Sequence, residues 1–334
     1  MNLAPLARVV LSPLSVLYAG IVILRAWLYE RGLLRSKRLQ TPVISVGNLS
    51  LGGTGKTPMV IWLAERFLAQ GKRVAILSRG YKGSSGSSDE IELMKSRLGN
   101  RVQFGVGSDR YAQGLRLEPS GVDIFLLDDG YQHLQLARDV NILLLDSSRP
   151  AANDRLLPAG RLREPLSAMS RADLLVFTRT ETNPSTDTAI GKLQNGAVFA
   201  AQTRLLGFRK FAVASPQVFA ASELGPGPFY AFCGIGNPGA FVVDLEHWGL
   251  SVAGKQAFAD HHRYSDSEAA ELLETAQHAH AVALITTEKD AHNLHDIDFQ
   301  GFPVYIAIID LVVPQEDVFL AAIQQQLDSR PRPA

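Results

Sequence analysis

Short apolar runs of four to six residues recur along the first half of the chain, and each ends on polar or charged residues. They fall at residues 43–46, at 74–77 before Ser78-Arg79-Gly80, and at 123–127 before Asp128-Asp129-Gly130. Two more follow at 140–145, ending on Asp146, and at 174–177, ending on Thr178-Arg179. Continuous apolar strands separated by helix-length segments predict a parallel sheet covered on both faces. The polar strand ends then lie along one crevice, where open α/β sheets bind ligands. Residues 83–88, Gly-Ser-Ser-Gly-Ser-Ser, read as a mobile loop near that crevice.

The texture changes around residues 195–227. Residues 203–213 read as two short strands, and Gly225-Pro226-Gly227-Pro228 is a break. The pattern then restarts with a strand at 229–233, a glycine-rich turn at 234–239 and a helix at 240–248. Further strands are expected at 282–285 and 304–309. The fold class is therefore α/β: a parallel-sheet domain over residues 37–205, a linker at 206–228, and a second, smaller α/β domain at 229–330. An N-terminal helical segment, residues 1–36, precedes them.

The turn after the first strand carries the most specific chemistry. Residues 50–57 read Ser-Leu-Gly-Gly-Thr-Gly-Lys-Thr, directly behind the strand and ahead of a helix expected at 58–70. Backbone N–H groups of Leu51, Gly52, Gly53, Thr54 and Gly55 can face a polyphosphate there, and the helix dipole favours the same anion. Lys56 would neutralise the β- and γ-phosphates, and the Thr57 hydroxyl would hold Mg²⁺. Ser50 stands where the P-loop pattern has its first glycine. The first domain is thus P-loop NTPase-like, while the second has no phosphate loop. No N/T-K-x-D guanine reader is present, because Lys289 and Asp290 are adjacent, so ATP is the expected nucleotide.

The N-terminal segment adds a membrane. Residues 9–24 are sixteen positions without a charge, bracketed by Arg8 and Arg25. As a helix this stretch covers about 24 Å, short of the ~30 Å hydrocarbon core, and Pro13 shortens the usable helix further. Trp27, Tyr29, Arg31, Arg35, Lys37 and Arg38 follow it. The pattern predicts a helix lodged in one leaflet with basic and aromatic flanks at the headgroups. Formal net charge is zero, from 33 basic and 33 acidic residues, so no global field invites nucleic acid. The single cysteine, Cys233, excludes an internal disulfide and suits a reducing compartment.

Two polar clusters remain. Asp128 and Asp129 close an apolar strand, the form that delivers a carboxylate to nucleotide-bound Mg²⁺. Asp260-His261-His262-Arg263-Tyr264 places a histidine beside carboxylates, where it can take or orient a proton. The residues alone leave other functions open: a soluble P-loop kinase for a small metabolite, or a membrane-addressed P-loop ATPase switch.

Taken as a series, the motifs resemble the tetraacyldisaccharide 4'-kinases of lipid A biosynthesis. The matching blocks are Gly47-Asn48 with residues 49–58, Ser78-Arg79-Gly80-Tyr81, Asp128-Asp129-Gly130-Tyr131-Gln132-His133, Leu156-Leu157-Pro158-Ala159-Gly160 and Leu162-Arg163-Glu164-Pro165. Asp260-His261-His262-Arg263-Tyr264 and Thr287-Glu288-Lys289-Asp290 extend the match into the second half. The resemblance implies a kinase that moves the γ-phosphate of ATP, with Mg²⁺, to the 4'-hydroxyl of a tetra-acylated glucosamine disaccharide 1-phosphate. It places the enzyme at the cytoplasmic face of the bacterial inner membrane, with the lipid precursor as partner and no protein partner implied. It assigns residues 37–205 as the ATP-binding kinase domain and gives residues 229–330 a share of the active-site cleft. Lys56 and Thr57 keep their loop roles, and Asp128 and Asp129 go to the metal and the reacting phosphate. Asp89 (within Ser88-Asp89-Glu90-Ile91) and His261 are the implied pair that activates the hydroxyl, with Asp129 as the alternative acceptor. Arg110, His133 and Arg179 are implied as phosphate or substrate contacts.

Overall fold

The computed structural model describes residues 5–80, 88–182, 196–211, 217–294 and 297–329. The glycine–serine loop expected at 83–88 lies outside them apart from Ser88, as does Tyr81. The chain forms two compact units. One takes Met1–Ser87, Arg97–Gln202 and Leu311–Ala334; the other takes Ser88–Ser96 and Thr203–Asp310.

The first unit is built on a seven-stranded sheet of order β3-β2-β4-β1-β5-β6-β7. Its strands are β1 (Val43–Asn48), β2 (Val74–Ser78), β3 (Val102–Val106), β4 (Ile124–Asp128), β5 (Val140–Asp146), β6 (Leu174–Thr178) and β7 (Ala197–Ala200). Every pairing is parallel. β1, β2, β4, β5 and β6 are buried along their whole length, as continuous apolar runs demand. Helix α2 (Lys56–Ala69) follows β1 and buries seven consecutive or near-consecutive side chains from Met59 to Phe67. It begins two residues before the expected start, so Lys56 and Thr57 sit in its first turn. Helices α3 (Asp89–Leu98) and α4 (Arg110–Leu117) come next in the chain.

Helix α1 (Pro5–Glu30) runs 26 residues, through Pro13. At 1.5 Å per residue it is about 39 Å long, so Pro13 does not shorten it as the sequence suggested. An interior proline removes the hydrogen bond to the carbonyl four residues back and crowds it, yet the helix continues past this one. The helix touches its own unit along one polar edge. Ser15 Oγ donates to the Leu156 carbonyl and accepts from the Ala159 N–H; Tyr18 Oη donates to the Arg163 carbonyl, and Arg25 to that of Gln132. The opposite side exposes Val10, Leu14, Val16, Leu17, Ile21, Ile23 and Leu24. By length and composition, residues Val10–Glu30 are long and apolar enough to cross a membrane, with mean hydropathy 1.7.

The second unit has a five-stranded sheet of order β10-β9-β11-β12-β8. The strands are β8 (Gln202–Lys210), β9 (Phe229–Cys233), β10 (Val252–Ala257), β11 (Ala283–Thr287) and β12 (Val304–Val312). β10, β9, β11 and β12 run parallel. Helices α5 (Pro238–His247), α6 (Asp266–His278) and the short α7 (Glu288–Ala291) accompany them. Two apolar clusters cover the sheet, one around Phe229, Phe241 and Leu245, the other around Phe232, Leu272 and Phe299.

Two boundaries differ from the sequence expectation. Residues 206–210, expected in a linker, are the second half of β8, and the described part of 203–213 is one strand rather than two. Helix α8 (Glu316–Ser329), expected with the second domain, belongs to the first unit. There Phe319 is fully buried, with ring centroids 5.9 Å from Trp62 and 4.8 Å from Phe199, and Glu316 pairs with Arg66 at 2.7 Å.

Candidate active site

The turn between β1 and α2 is held by its own polar atoms. Asn48 Nδ2 donates to Thr54 Oγ1 at 2.8 Å, and Thr178 Oγ1, at the end of β6, donates to the Thr54 carbonyl. Gly52 (φ 110°) and Gly55 (φ 82°) occupy the left-handed region that other residues avoid. That conformation carries the chain from strand to helix while leaving early α2 N–H groups without intrahelical partners, the arrangement that suits an anion. Gly47 serves differently: a Cβ there would stand 2.6 Å from Tyr131 Cβ, so its absence lets the 130–133 segment cross the end of β1.

β4 lies beside β1 in register, Val46 opposite Asp128, so both strands deliver their polar ends to one edge. Were the strand to continue, alternation would point the two aspartates to opposite faces. Instead the strand stops at Asp128, and Asp129 turns into the left-handed region at φ 47°. Asp128 is buried and accepts from Ser78 Oγ at 3.1 Å. Asp129 is half-buried. Both its oxygens accept from Arg163 Nη1, at 2.9 and 2.8 Å, and Lys56 Nζ stands 3.6 Å away. Burial alone would raise the Asp129 carboxyl; Lys56 and Arg163 outweigh it and hold Asp129 below the ordinary value.

Arg110 and His133 are brought together, Nη1 to Nδ1 at 3.2 Å. A guanidinium only donates, so His133 Nδ1 accepts and the ring is neutral. Burial first, then Arg110, Arg138 and Arg25, push His133 down to about 4. Arg110 is itself buried, the first residue of α4 behind the Asp109 cap. Arg179 stands apart from this pair, at the end of β6 with φ 60°, near Arg149.

In the second unit, Asp89 and His261 meet. Nδ1 of His261 lies 2.7 and 3.0 Å from the two Asp89 oxygens, and an ionised carboxylate only accepts, so Nδ1–H donates. The Asp89 side chain is 3% exposed and that of His261 35%. Burial alone would raise the Asp89 carboxyl; the hydrogen bond from His261 and the charge of Lys289 hold it low instead. The same hydrogen bond raises His261, opposed by burial and by Lys289. His261 sits at φ 62°, its N–H on the Gly234 carbonyl. Among the described residues, three of the five non-glycines with positive φ are Asp129, Arg179 and His261, all expected site residues. Backbone strain of this kind concentrates at functional positions.

The pair occupies a defined place in its sheet. From β9 the chain runs to β10 on one side and then to β11 on the other, so the ends of β9 and β11 flank a switch point. Asp290, fully buried after β11, ties them: its Oδ1 accepts from the Gly234 N–H at 2.7 Å and from Tyr264 Oη at 2.8 Å. Sequence reasoning did not single out Arg163, Ser78, Lys289 or Asn293 as site residues. Ser78, Arg163 and Lys289 did stand inside the quoted blocks, and for Lys289 the signal was a charge beside the end of β11.

A divalent cation is tested by the donor set. Thr57 and Asp128 offer hydroxyl and carboxylate oxygens, the hard ligands Mg²⁺ takes when phosphates and waters complete its shell. No cluster of three or more His, Cys, Asp or Glu that could hold a metal unaided occurs among the described residues. The residues therefore fit a cation that arrives with a nucleotide.

Strand, glycine loop, helix and neighbouring aspartates define a P-loop phosphotransferase. The LpxK family model, described as tetraacyldisaccharide-1-P 4'-kinase, matches residues 7–328. The tetraacyldisaccharide 4'-kinase of Geobacter metallireducens is 40% identical over 345 residues, covering 96% of this chain and 99% of the relative. That of Geobacter sulfurreducens is 41% identical over 330 residues, covering 92% and 90%. A crystal structure of the "apo" form of LpxK from Aquifex aeolicus in complex with ATP is similar at TM-score 0.75 and 34% identity, covering 96% of this chain and 99% of that one. The chain belongs to the tetraacyldisaccharide-1-P 4'-kinase family and is a kinase with an alcohol acceptor.

Proposed function

We propose that this kinase transfers the γ-phosphate of ATP to the 4'-hydroxyl of a tetraacyldisaccharide 1-phosphate, the lipid A precursor, at the cytoplasmic face of the inner membrane. The observation that carries the chemistry is the β1–α2 turn, with Lys56 at the helix start and Asp128 and Asp129 at the end of the adjacent strand. The backbone of residues 51–55 would cradle the phosphates, and Lys56 would neutralise them. Thr57 and Asp128 would hold Mg²⁺, which when bound offsets charge on the β- and γ-phosphates. Arg163 and Asp129 would orient that edge of the site. Arg110 and His133, a buried cation beside a neutral imidazole, suit a phosphate or sugar of the acceptor, and Arg179 suits the nucleotide side.

The proton of the acceptor hydroxyl goes to the Asp89–His261 pair in this account. Asp129 is the poorer acceptor because Lys56 and Arg163 hold its carboxyl below the ordinary value, so it binds a proton weakly. Asp89 holds His261 by Nδ1–H, so Nε2, 3.9 Å from Asp260 Oδ2, is the ring nitrogen that would take the proton as the hydroxyl oxygen attacks phosphorus. The first unit would thus serve as the ATP-binding kinase domain and the second would handle the acceptor. The exposed apolar side of α1 supports delivery of the enzyme to a bilayer, since acyl chains leave lipid at about 0.8 kcal/mol per CH₂.

The test is incubation of the detergent-solubilised protein with [γ-³²P]ATP, Mg²⁺ and the disaccharide lipid, followed by thin-layer chromatography. Label should move to the lipid, and Lys56→Ala should abolish the transfer. Labelled inorganic phosphate without labelled lipid would overturn the assignment in favour of a simple ATPase.

A further inference from the structure

Lys289 has no part in the chemistry described so far, yet its side chain is deeply placed, 16% exposed. Its ammonium lies 2.7 Å from Asp260 Oδ1 and 3.6 Å from Asp89 Oδ2. One partner is the chain neighbour of His261, the other is the carboxylate on which His261 rests. The lysine comes from α7, which Thr287 caps and Asp290 fastens to the end of β9, so its backbone is fixed from two sides. Asn293, one turn further, reaches Asp89 Oδ2 at 3.4 Å. The carboxylate of Asp89 is therefore addressed by four donors, His261, Asn293, Lys289 and the backbone N–H of Glu90, and only Lys289 among them carries a permanent charge.

We propose that Lys289 is a positioning residue for the proton-handling pair: its ammonium, anchored on Asp260, clamps the Asp89 carboxylate against His261 and sets the charge balance the imidazole feels. The inference rests on the assignment of His261 as proton acceptor. A buried carboxylate with a single imidazole partner would be under-compensated, and a second fixed cation corrects that without taking the histidine's place. The cation also works on the imidazole directly. The groups facing His261 are Asp89 from α3, Asp260 from its own loop and Lys289 from α7, with Glu90 acting on Lys289 and Asp290 turned away to Gly234 and Tyr264. The two aspartates favour a protonated ring and Lys289 opposes it. An acceptor must be unprotonated to work, so the lysine keeps His261 usable at lower pH than the aspartates alone would allow.

The experiment is the pH profile of kcat/KM for lipid phosphorylation in mixed micelles, for the wild type, Lys289→Met, Lys289→Arg, Asp260→Asn and His261→Gln. Lys289→Met should lose about tenfold in kcat near neutrality, less than the ~10²–10⁴ of a lost acid–base group. Its acid limb should move to higher pH, because a charge that opposed protonation of His261 is gone. Lys289→Arg should return the limb towards the wild type. Asp260→Asn, which removes a charge of the other sign, should move the limb to lower pH. Activity lost in Lys289→Met with an unshifted limb, or limbs that superimpose in both the Met and Asn variants, would overturn the proposal. Should Lys289→Met fail to fold, judged by its melting curve, the Asn variant alone decides it. Wild-type turnover and an unchanged limb in His261→Gln would overturn the underlying assignment instead, whatever Lys289 does.

Discussion

Asp128 and Asp129 are consecutive in the chain and meet different partners, because the backbone turns between them. The buried Asp128 faces a hydroxyl, and the left-handed Asp129 faces two cations. His133 shows how far such surroundings move a group. Its value falls from 6.5 to about 4 through burial and three arginines. Between those values the unfolded chain binds a proton that the folded chain refuses, so His133 makes stability rise with pH across this window. The contribution is whole above about 6.5 and is lost as pH falls towards 4. His133→Gln should flatten the denaturation midpoint against pH between 4.5 and 6.5 by ~1 proton's worth of slope. An unaltered slope would mean the imidazole is not held neutral. The identities of these side chains could be read from the chain, but their pairings could not. Arg110 and His133 are 23 positions apart, and Asp89 and His261 are separated by 172.

At the level of elements, the interior strands were legible and the edges were not. β1, β2, β4, β5, β6, β9 and β11 are apolar along nearly their whole length, and each was foreseen. The strands missed or misread were β3, β7, β10 and β8, which are the outer strands of the two sheets. An outer strand is covered on fewer sides, so its text mixes polar and apolar letters: β10 alternates half-buried with exposed residues. Helix α1 was seen, but its length was not, since Pro13 suggested an interruption where the helix continues. Its apolar side gives the prediction at this scale. Leu17 and Ile21 are 64% and 59% exposed, so changing either to Asp leaves the fold untouched. Burial of one such side chain in lipid is worth about 1.5–3 kcal/mol. Each variant should therefore lose at least about tenfold in binding to phosphatidylethanolamine–phosphatidylglycerol vesicles, measured by flotation. Undiminished binding of the double variant would remove α1 as the membrane contact.

For the whole molecule, chain order and unit membership diverge. Ser88–Ser96 joins the second unit from the middle of the first, and Leu311–Ala334 returns to the first after the second is complete. Neither excursion leaves a local mark. Asp89 sits on α3 and has its partner on a loop beyond β10; Phe319 sits on α8 and has its partners on α2 and β7. A linear division at a proline–glycine break catches the change of sheet and misses both crossings. The consequence for function is a division of labour. In the proposed mechanism the nucleotide groups lie on the first unit, and Asp89 and His261, proposed to handle the proton, lie on the second. Removing a group from one should spare the task of the other.

The direct measurement is therefore ATP binding and phosphoryl transfer on the same His261→Ala protein, by equilibrium titration with a fluorescent ATP analogue and by single-turnover transfer of ³²P to the disaccharide lipid. Affinity for the nucleotide should stay within about twofold of the wild type while transfer falls by ~10²-fold or more. Equal losses in both, or transfer at the wild-type rate, would contradict the account.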